Sequence, residues 1–265
     1  MDATFTPSHR GGTGTPMVCV HGFTDTWRTW ELVLPALERE HDVLALTLTG
    51  HAGGPALEGE LGDATLVDAL EEAMDEAGFA DAHVVGNSLG GYVALQLARR
   101  GRARSLVLMA PAGGWARGDE SYKETLEHFK QTQALVKAAV PYVEEMVASV
   151  EGRRTATQFI TTNFEHIPGE LIAHQVLGVA SCEAVEPLIE LALSEGWNVD
   201  AEGVSCPVRV VWGTADKILE WPKTTVRYRE ELPDADWVTL DDIGHCPQLD
   251  VPAEAAELIL GISAR

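Results

Sequence analysis

The chain has 265 residues, 45% of them hydrophobic, which suits one sizeable domain with a real core and excludes a disordered composition. Its 41 acidic against 19 basic side chains give a formal charge of −22, which repels phosphate backbones and argues against nucleic acid as a partner and against highly anionic substrates. Cys19, Cys182, Cys206 and Cys246 form no C-x-x-C pair and read as free thiols; with no leader pattern and no apolar run of about 18 residues, a cytoplasmic protein without a membrane span is expected.

In chain order, residues 1–15 are polar, and Gly11-Gly12-Thr13-Gly14 reads as a turn. It lacks Gly-Lys-Ser/Thr and precedes a strand, so it is not a phosphate loop. Short apolar runs follow at Met17–Val20, Val43–Leu46, His83–Val85, Leu106–Met109, Val208–Trp212 and Trp237–Leu240. Most are continuous rather than alternating, as in strands buried on both faces of a parallel sheet. Helical spacing recurs between them, over 27–39 (Trp27, Trp30, Leu34, Leu37), 64–77, 89–100 and 253–261. Strand alternating with helix predicts a doubly wound, mostly parallel α/β sheet. Residues 113–203 break the alternation. Helical stripes run through them, over Tyr122–Gln133, then Ala139–Val150, Thr155–Phe164, Leu171–Gly178 and Ala184–Glu195, with no convincing strand. The expectation is a helical lid at 113–203 inserted into a core made of 1–112 and 204–265.

The strongest chemical signal is Gly86-Asn87-Ser88-Leu89-Gly90-Gly91, a G-x-S-x-G pattern between an apolar run and a helical one. A sharp strand-turn-helix elbow needs small neighbours and aims the serine hydroxyl at a helix N-terminus, which favours developing negative charge. Ser88 is therefore the candidate nucleophile. A serine hydroxyl needs a base, and the base an orienting acid. His245 follows the last apolar run and Asp216 follows the run before it. Both fall on loops at the carboxyl edge of the sheet, as Ser88 does, where open α/β sheets bind ligands. Asp241 and Asp242 are the rival acids, but they sit close to His245 in sequence and read as strand-end surface groups. The backbone N–H groups of Phe23, in the turn Val20-His21-Gly22-Phe23, and of Leu89 are the expected oxyanion donors. His21 reads as a turn-stabilising residue and His51 as support for the elbow loop. The remaining histidines form no i, i+4 pair with a third ligand, so neither a metal nor any other cofactor is expected.

These residues resemble the α/β-hydrolase superfamily over about 16–112 and 204–261. The pieces are HGF at 21–23, TGHAGG at 49–54, GNSLGG at 86–91, GTAD at 213–216 and GHCPQLDVP at 244–252, where Asp250 stands at the acidic position of the family's histidine loop. Thr47 replaces an aspartate common before the second glycine turn, Ala52 replaces a glycine, and the usual opening hairpin is truncated to a few residues before Met17. Within the family, dehalogenases and epoxide hydrolases use aspartate at the elbow, and Ser88 argues against both. The resemblance implies a carboxylesterase-like serine hydrolase that cleaves a small ester or related acyl compound through an acyl-enzyme. The alternatives are a carbon–carbon bond hydrolase of ring-cleavage products, a haloperoxidase-like enzyme, an acyltransferase, and a non-enzymatic receptor on the same fold. An intact Ser-His-Asp set favours an enzyme over a receptor. Trp115, just past a strand end, is the expected wall of the substrate pocket, with Phe129 and Phe159 as weaker choices.

Overall fold

A computed structural model of the chain describes residues 4–59, 61–62 and 64–263; residues 1–3 and 264–265, at the ends of the expected core, lie outside it. Seven strands form one sheet: β1 (Ser8–Gly12), β2 (Thr15–Val20), β3 (His41–Leu46), β4 (Ala82–Asn87), β5 (Ala103–Met109), β6 (Val208–Gly213) and β7 (Asp236–Leu240). Their order is β1-β3-β2-β4-β5-β6-β7, with β1 antiparallel to β3 and every other pairing parallel. The continuous apolar runs follow from burial on both faces. In β2, Val18 and Val20 pack into one core and Met17 and Cys19 into the other; Leu106 and Leu108 of β5 likewise oppose Val107 and Met109.

Helices α1 (Leu34–Leu37), α2 (Thr65–Glu76) and α3 (Leu89–Arg99) lie among the first five strands. Between β5 and β6, the chain forms α4 (Tyr122–Ala139), α5 (Val143–Ala148), α6 (Val150–Thr157), α7 (Gly169–Ser181) and α8 (Val185–Glu195), with no strand among the described residues. Helix α9 (Val226–Glu231) precedes β7, and α10 (Pro247–Asp250) and α11 (Pro252–Ser263) end the chain. Helices α2, α3, α8 and α9 bury their apolar sides on one face of the sheet, α1 and α11 on the other. The α5 and α7 region has a core of its own, where Phe164, Ile167, Leu171 and Ile172 meet Cys246 and Leu249.

Three local expectations are corrected. The stretch 27–39 is a 3₁₀ turn, Trp27–Trp30, followed by the single turn α1, because Thr26 caps the first piece and Pro35 opens the second. Gly11 and Gly12 belong to β1 rather than to a turn. Gly12 is needed at the end of this edge strand, because its φ is +78° and a Cβ there would run into the backbone oxygens of His41 and Glu38. Helix α6 starts earlier than 155, since the Ser149 hydroxyl accepts from Gly152 N–H at 2.9 Å and caps it, and it ends at Thr157.

Candidate active site

Ser88 sits between β4 and α3 with φ 55° and ψ −120°, a left-handed conformation that costs a non-glycine residue strain. The turn is held from both sides. Ser88 N–H donates to Met109 O at 2.9 Å, and Ser88 O accepts from Gly91, Tyr92 and Ala112. A Cβ on Gly86 would lie 2.2 Å from Gly90 O, and one on Gly90 2.2 Å from Val20 O, so the motif's glycines are demanded by backbone contact. Leu89, the first residue of α3, presents its N–H at the helix N-terminus.

The loops after β6 and β7 bring Asp216 and His245 together. His245 Nδ1 donates to Asp216 Oδ2 at 2.7 Å, and both side chains are buried. The other carboxylate oxygen, Oδ1, accepts from the N–H groups of Ile218 and Leu219, each at 2.8 Å. The acid is thus fixed by its own backbone, and Nε2 of the imidazole is left for a partner on the open side. Asp241 and Asp242 are exposed. Ser88 and His245 line one cavity with Phe23, which puts the candidate nucleophile, candidate base and candidate oxyanion turn around a common space.

His21 is fully buried: its Nε2 accepts from Leu48 N–H at 2.9 Å, so Nδ1 carries the proton and donates to Gly22 O at 2.6 Å. Burial, reinforced by neighbouring His51, holds its pKa well below the ordinary histidine value. It is a neutral strut of the oxyanion turn. His51 packs edge-on to His21 at 4.9 Å and to Phe23 at 6.0 Å, and burial lowers its pKa to about 4. It therefore backs the oxyanion turn, not the nucleophile elbow.

Four residues give the site functional contacts that sequence reasoning missed. Asn87 Nδ2 donates to Met109 O and His245 O, while its Oδ1 accepts from Gln248 Nε2 at 3.1 Å and Cys246 Sγ at 3.3 Å. This side chain laces the histidine loop to the elbow. Burial and nearby carboxylates push the Cys246 thiol well up, so it stays protonated. Asp250 accepts from Gly244 N–H at 2.7 Å, Thr162 N–H at 2.9 Å and Asn163 N–H at 2.6 Å. The acidic position noted in the sequence is thus a fastener between the histidine loop and the helical segment. The other two are Asp25 and Gln175, which line the same cavity as Ser88 and His245. Asp25 keeps a partly open face but is otherwise enclosed, and this enclosure pushes its carboxyl up to about 6.

A second cavity, about 880 Å³ of empty space including its mouth, opens from Ser88 and Leu89. It runs as a slot between α2, α3, α4 and α8. Trp115 lines it, buried and 6.2 Å from the ring of Trp197. Phe129 and Ile218 line both cavities and stand between them. Phe159 is 41% exposed and lies away from Ser88, against the ring of His128. No helix among the described residues is long and apolar enough to cross a membrane.

The sequence profile of the alpha/beta hydrolase family matches residues 17–258. An epoxide hydrolase of Mycobacterium tuberculosis, EphH, is 31% identical over 200 residues, which is 75% of this chain and 94% of that protein. A pimeloyl-acyl-carrier-protein methyl ester esterase of Aromatoleum aromaticum is 30% identical over 273 residues, covering 92% of this chain and 96% of its own length. The solved structure of a 2-hydroxy-6-oxo-6-phenylhexa-2,4-dienoate hydrolase from a Rhodococcus species superposes with a TM-score of 0.76 at 20% identity, covering 98% of this chain and 97% of that one. That likeness shows the shared fold.

Proposed function

The chain belongs to the alpha/beta hydrolase family, and from that premise we propose that it is a serine esterase for small acyl substrates, with Ser88, His245 and Asp216 as its triad. The observation that carries this reading is the His245–Asp216 bond of 2.7 Å beside a cavity that His245 shares with Ser88. His245 Nε2 takes the proton of Ser88 Oγ as the oxygen attacks the ester carbonyl. The resulting oxyanion is met by the N–H groups of Phe23 and Leu89. His245 then gives the proton to the departing alcohol oxygen, leaving an acyl-enzyme on Ser88. Water, deprotonated by His245, releases the acid and restores the serine. Every step is a proton transfer, an addition to the carbonyl or a collapse of the tetrahedral intermediate that expels the alcohol or the serine oxygen. The −22 charge and a mostly apolar acyl slot, whose one charged lining residue is Glu195, both fit a neutral or weakly charged small molecule.

The departing alcohol must reach His245, so it occupies the cavity that His245 lines. The acyl chain takes the slot along Leu89, Trp115 and α8, roofed by the helices of 113–203 acting as a lid. Epoxide opening fits Ser88 poorly. Attack by a serine oxygen on an epoxide carbon gives an ether, which has no carbonyl for water to attack, whereas a carboxylate nucleophile gives a hydrolysable ester. The test is labelling with a fluorophosphonate together with hydrolysis of p-nitrophenyl esters of rising chain length. Ser88→Ala should lose both; a variant with wild-type ester turnover would overturn the assignment.

A further inference from the structure

The cavity lined by His245 is apolar along Phe23, Phe129, Ile160 and Val179, with a polar corner made by Asp25 and Gln175. Asp25 Oδ1 accepts from Thr26 N–H at 2.8 Å, and Oδ2 accepts from Gln175 Nε2 at 3.2 Å. The Thr29 side chain bonds the same carboxylate, and since a carboxylate offers about four acceptor sites, one remains for a ligand. Gln175, on α7, is only 7% exposed. Its amide must turn its nitrogen to the carboxylate, which directs Oε1 elsewhere, and Oε1 is buried with no hydrogen-bond partner. A buried acceptor left without a donor is costly and calls for a reason. The corner therefore joins a carboxylate with one acceptor site left to a buried amide oxygen that lacks a donor, in a pocket that His245 also lines and that is otherwise mostly apolar.

We propose that Asp25 and Gln175 select esters whose alcohol portion carries hydroxyl groups, such as glycol or glycerol monoesters. One hydroxyl donates to the Asp25 carboxylate and a second to Gln175 Oε1, while the acyl chain lies in the apolar slot across Ser88. The inference rests on the esterase reading and on the alcohol departing on the His245 side. A pocket that must satisfy buried polar groups rejects an analogue lacking the matching group far more strongly than a hydrocarbon pocket rejects a hydroxyl.

The experiment compares kcat/KM for 2,3-dihydroxypropyl butyrate, propyl butyrate and 2-methoxyethyl butyrate. These share an acyl group and differ only in what the alcohol donates or accepts. The wild type should prefer the dihydroxypropyl over the propyl ester by about tenfold or more. Gln175→Met should bring that ratio towards one. In Asp25→Asn, the new amide nitrogen can face Gln175 Oε1, which turns Gln175 Nε2 into the cavity as a donor. The methoxyethyl ester should then overtake the dihydroxypropyl ester. Ratios measured on one preparation are insensitive to the fraction of each variant that folds. Equal rates on dihydroxypropyl and propyl esters by the wild type, or an unchanged ratio in both variants, would overturn the selectivity corner alone. Failure of the wild type to cleave any of the three esters would overturn the esterase reading and the corner with it.

Discussion

Gly22 and Ser88 are close enough that a Cβ on the glycine would stand 3.1 Å from the Cβ of the serine. The turn that carries the Phe23 N–H is thus pressed directly against the proposed nucleophile. Gly22→Ala keeps an accessible backbone conformation but forces one of these two elements to shift. The expected result is a kcat lower by about tenfold or more, since oxyanion donors are worth at least that much. Thermal stability should change little, by about 1 kcal/mol. Steady-state kinetics beside a thermal melt checks this; a large stability loss with unchanged kcat per folded molecule would mean that the contact is structural only.

Asp250 satisfies three backbone N–H groups, from Gly244, Thr162 and Asn163. Asp250→Ala leaves all three donors without it, one on buried Gly244 and two on the exposed residues Thr162 and Asn163. The expected loss of stability is about 1–3 kcal/mol, the cost of leaving one buried donor, Gly244 N–H, unsatisfied. Loosening Gly244 also frees His245, so Ser88 should react more slowly with a fluorophosphonate in the protein that remains folded. Denaturant melts and labelling rates measure the two effects, and Asp250→Asn, which keeps one acceptor oxygen, should fall between.

Phe129 and Ile218 divide the two cavities at Ser88, and Trp115 walls the slot. Trp115→Ala should extend the slot and move the optimum of an ester series towards longer acyl chains. Phe129→Ala should instead merge the two spaces and flatten the discrimination on both sides. Equal chain-length profiles for wild type and Trp115→Ala would remove Trp115 from the pocket.

Acid should destabilise the fold between about pH 6.5 and 4. Burial lowers the pKa values of His51, His83 and His174 to about 4, and of His21 well below the ordinary value. Through that window the unfolded chain binds protons at these histidines and the folded chain does not, so stability falls as pH falls. Asp25 works in the opposite direction: its folded pKa, raised by burial to about 6, favours the folded state as pH drops below that value. One carboxyl is outnumbered by four histidines. Midpoints of thermal unfolding from pH 4 to 7 should show the fall, and His51→Gln should make its slope shallower.

The features legible in the sequence are those written in local pattern. The parallel strands are long apolar runs because both faces are covered, and the elbow is legible because backbone contact demands glycine at 86 and 90. Asp216 and His245 are legible from their places after strands. Strand β1 is not, because an edge strand carrying His9 and Arg10 lacks the apolar run of a central one. Trp27–Leu37 has the spacing of one helix, yet the cap at Thr26 and the proline at 35 divide it. The corner at Asp25 and Gln175 joins residues 150 positions apart, and a lone glutamine on a helix gives no sign of what it faces. Asn87 lay inside a recognised motif, but its role depends on Gln248 and Cys246, which only the folded chain brings to it.

The anchorage at Asp250 also fixes the direction of traffic. Residues 162–163 cannot rise from the histidine loop without breaking their bonds to Asp250, the carboxylate that also holds Gly244, next to His245. An excursion of the helical segment that began there would loosen the carboxylate that positions the loop of His245, the proposed base. Entry and exit that leave the machinery armed must use the other margin, where α4 joins the sheet through Gly113 and Gly118, both with positive φ. Substrate would then thread in along the acyl slot between α2, α4 and α8, and the acid product would back out the same way. Amide hydrogen exchange should accordingly be faster over 113–126 than at 162–163, and the reverse order would place the gate over the histidine.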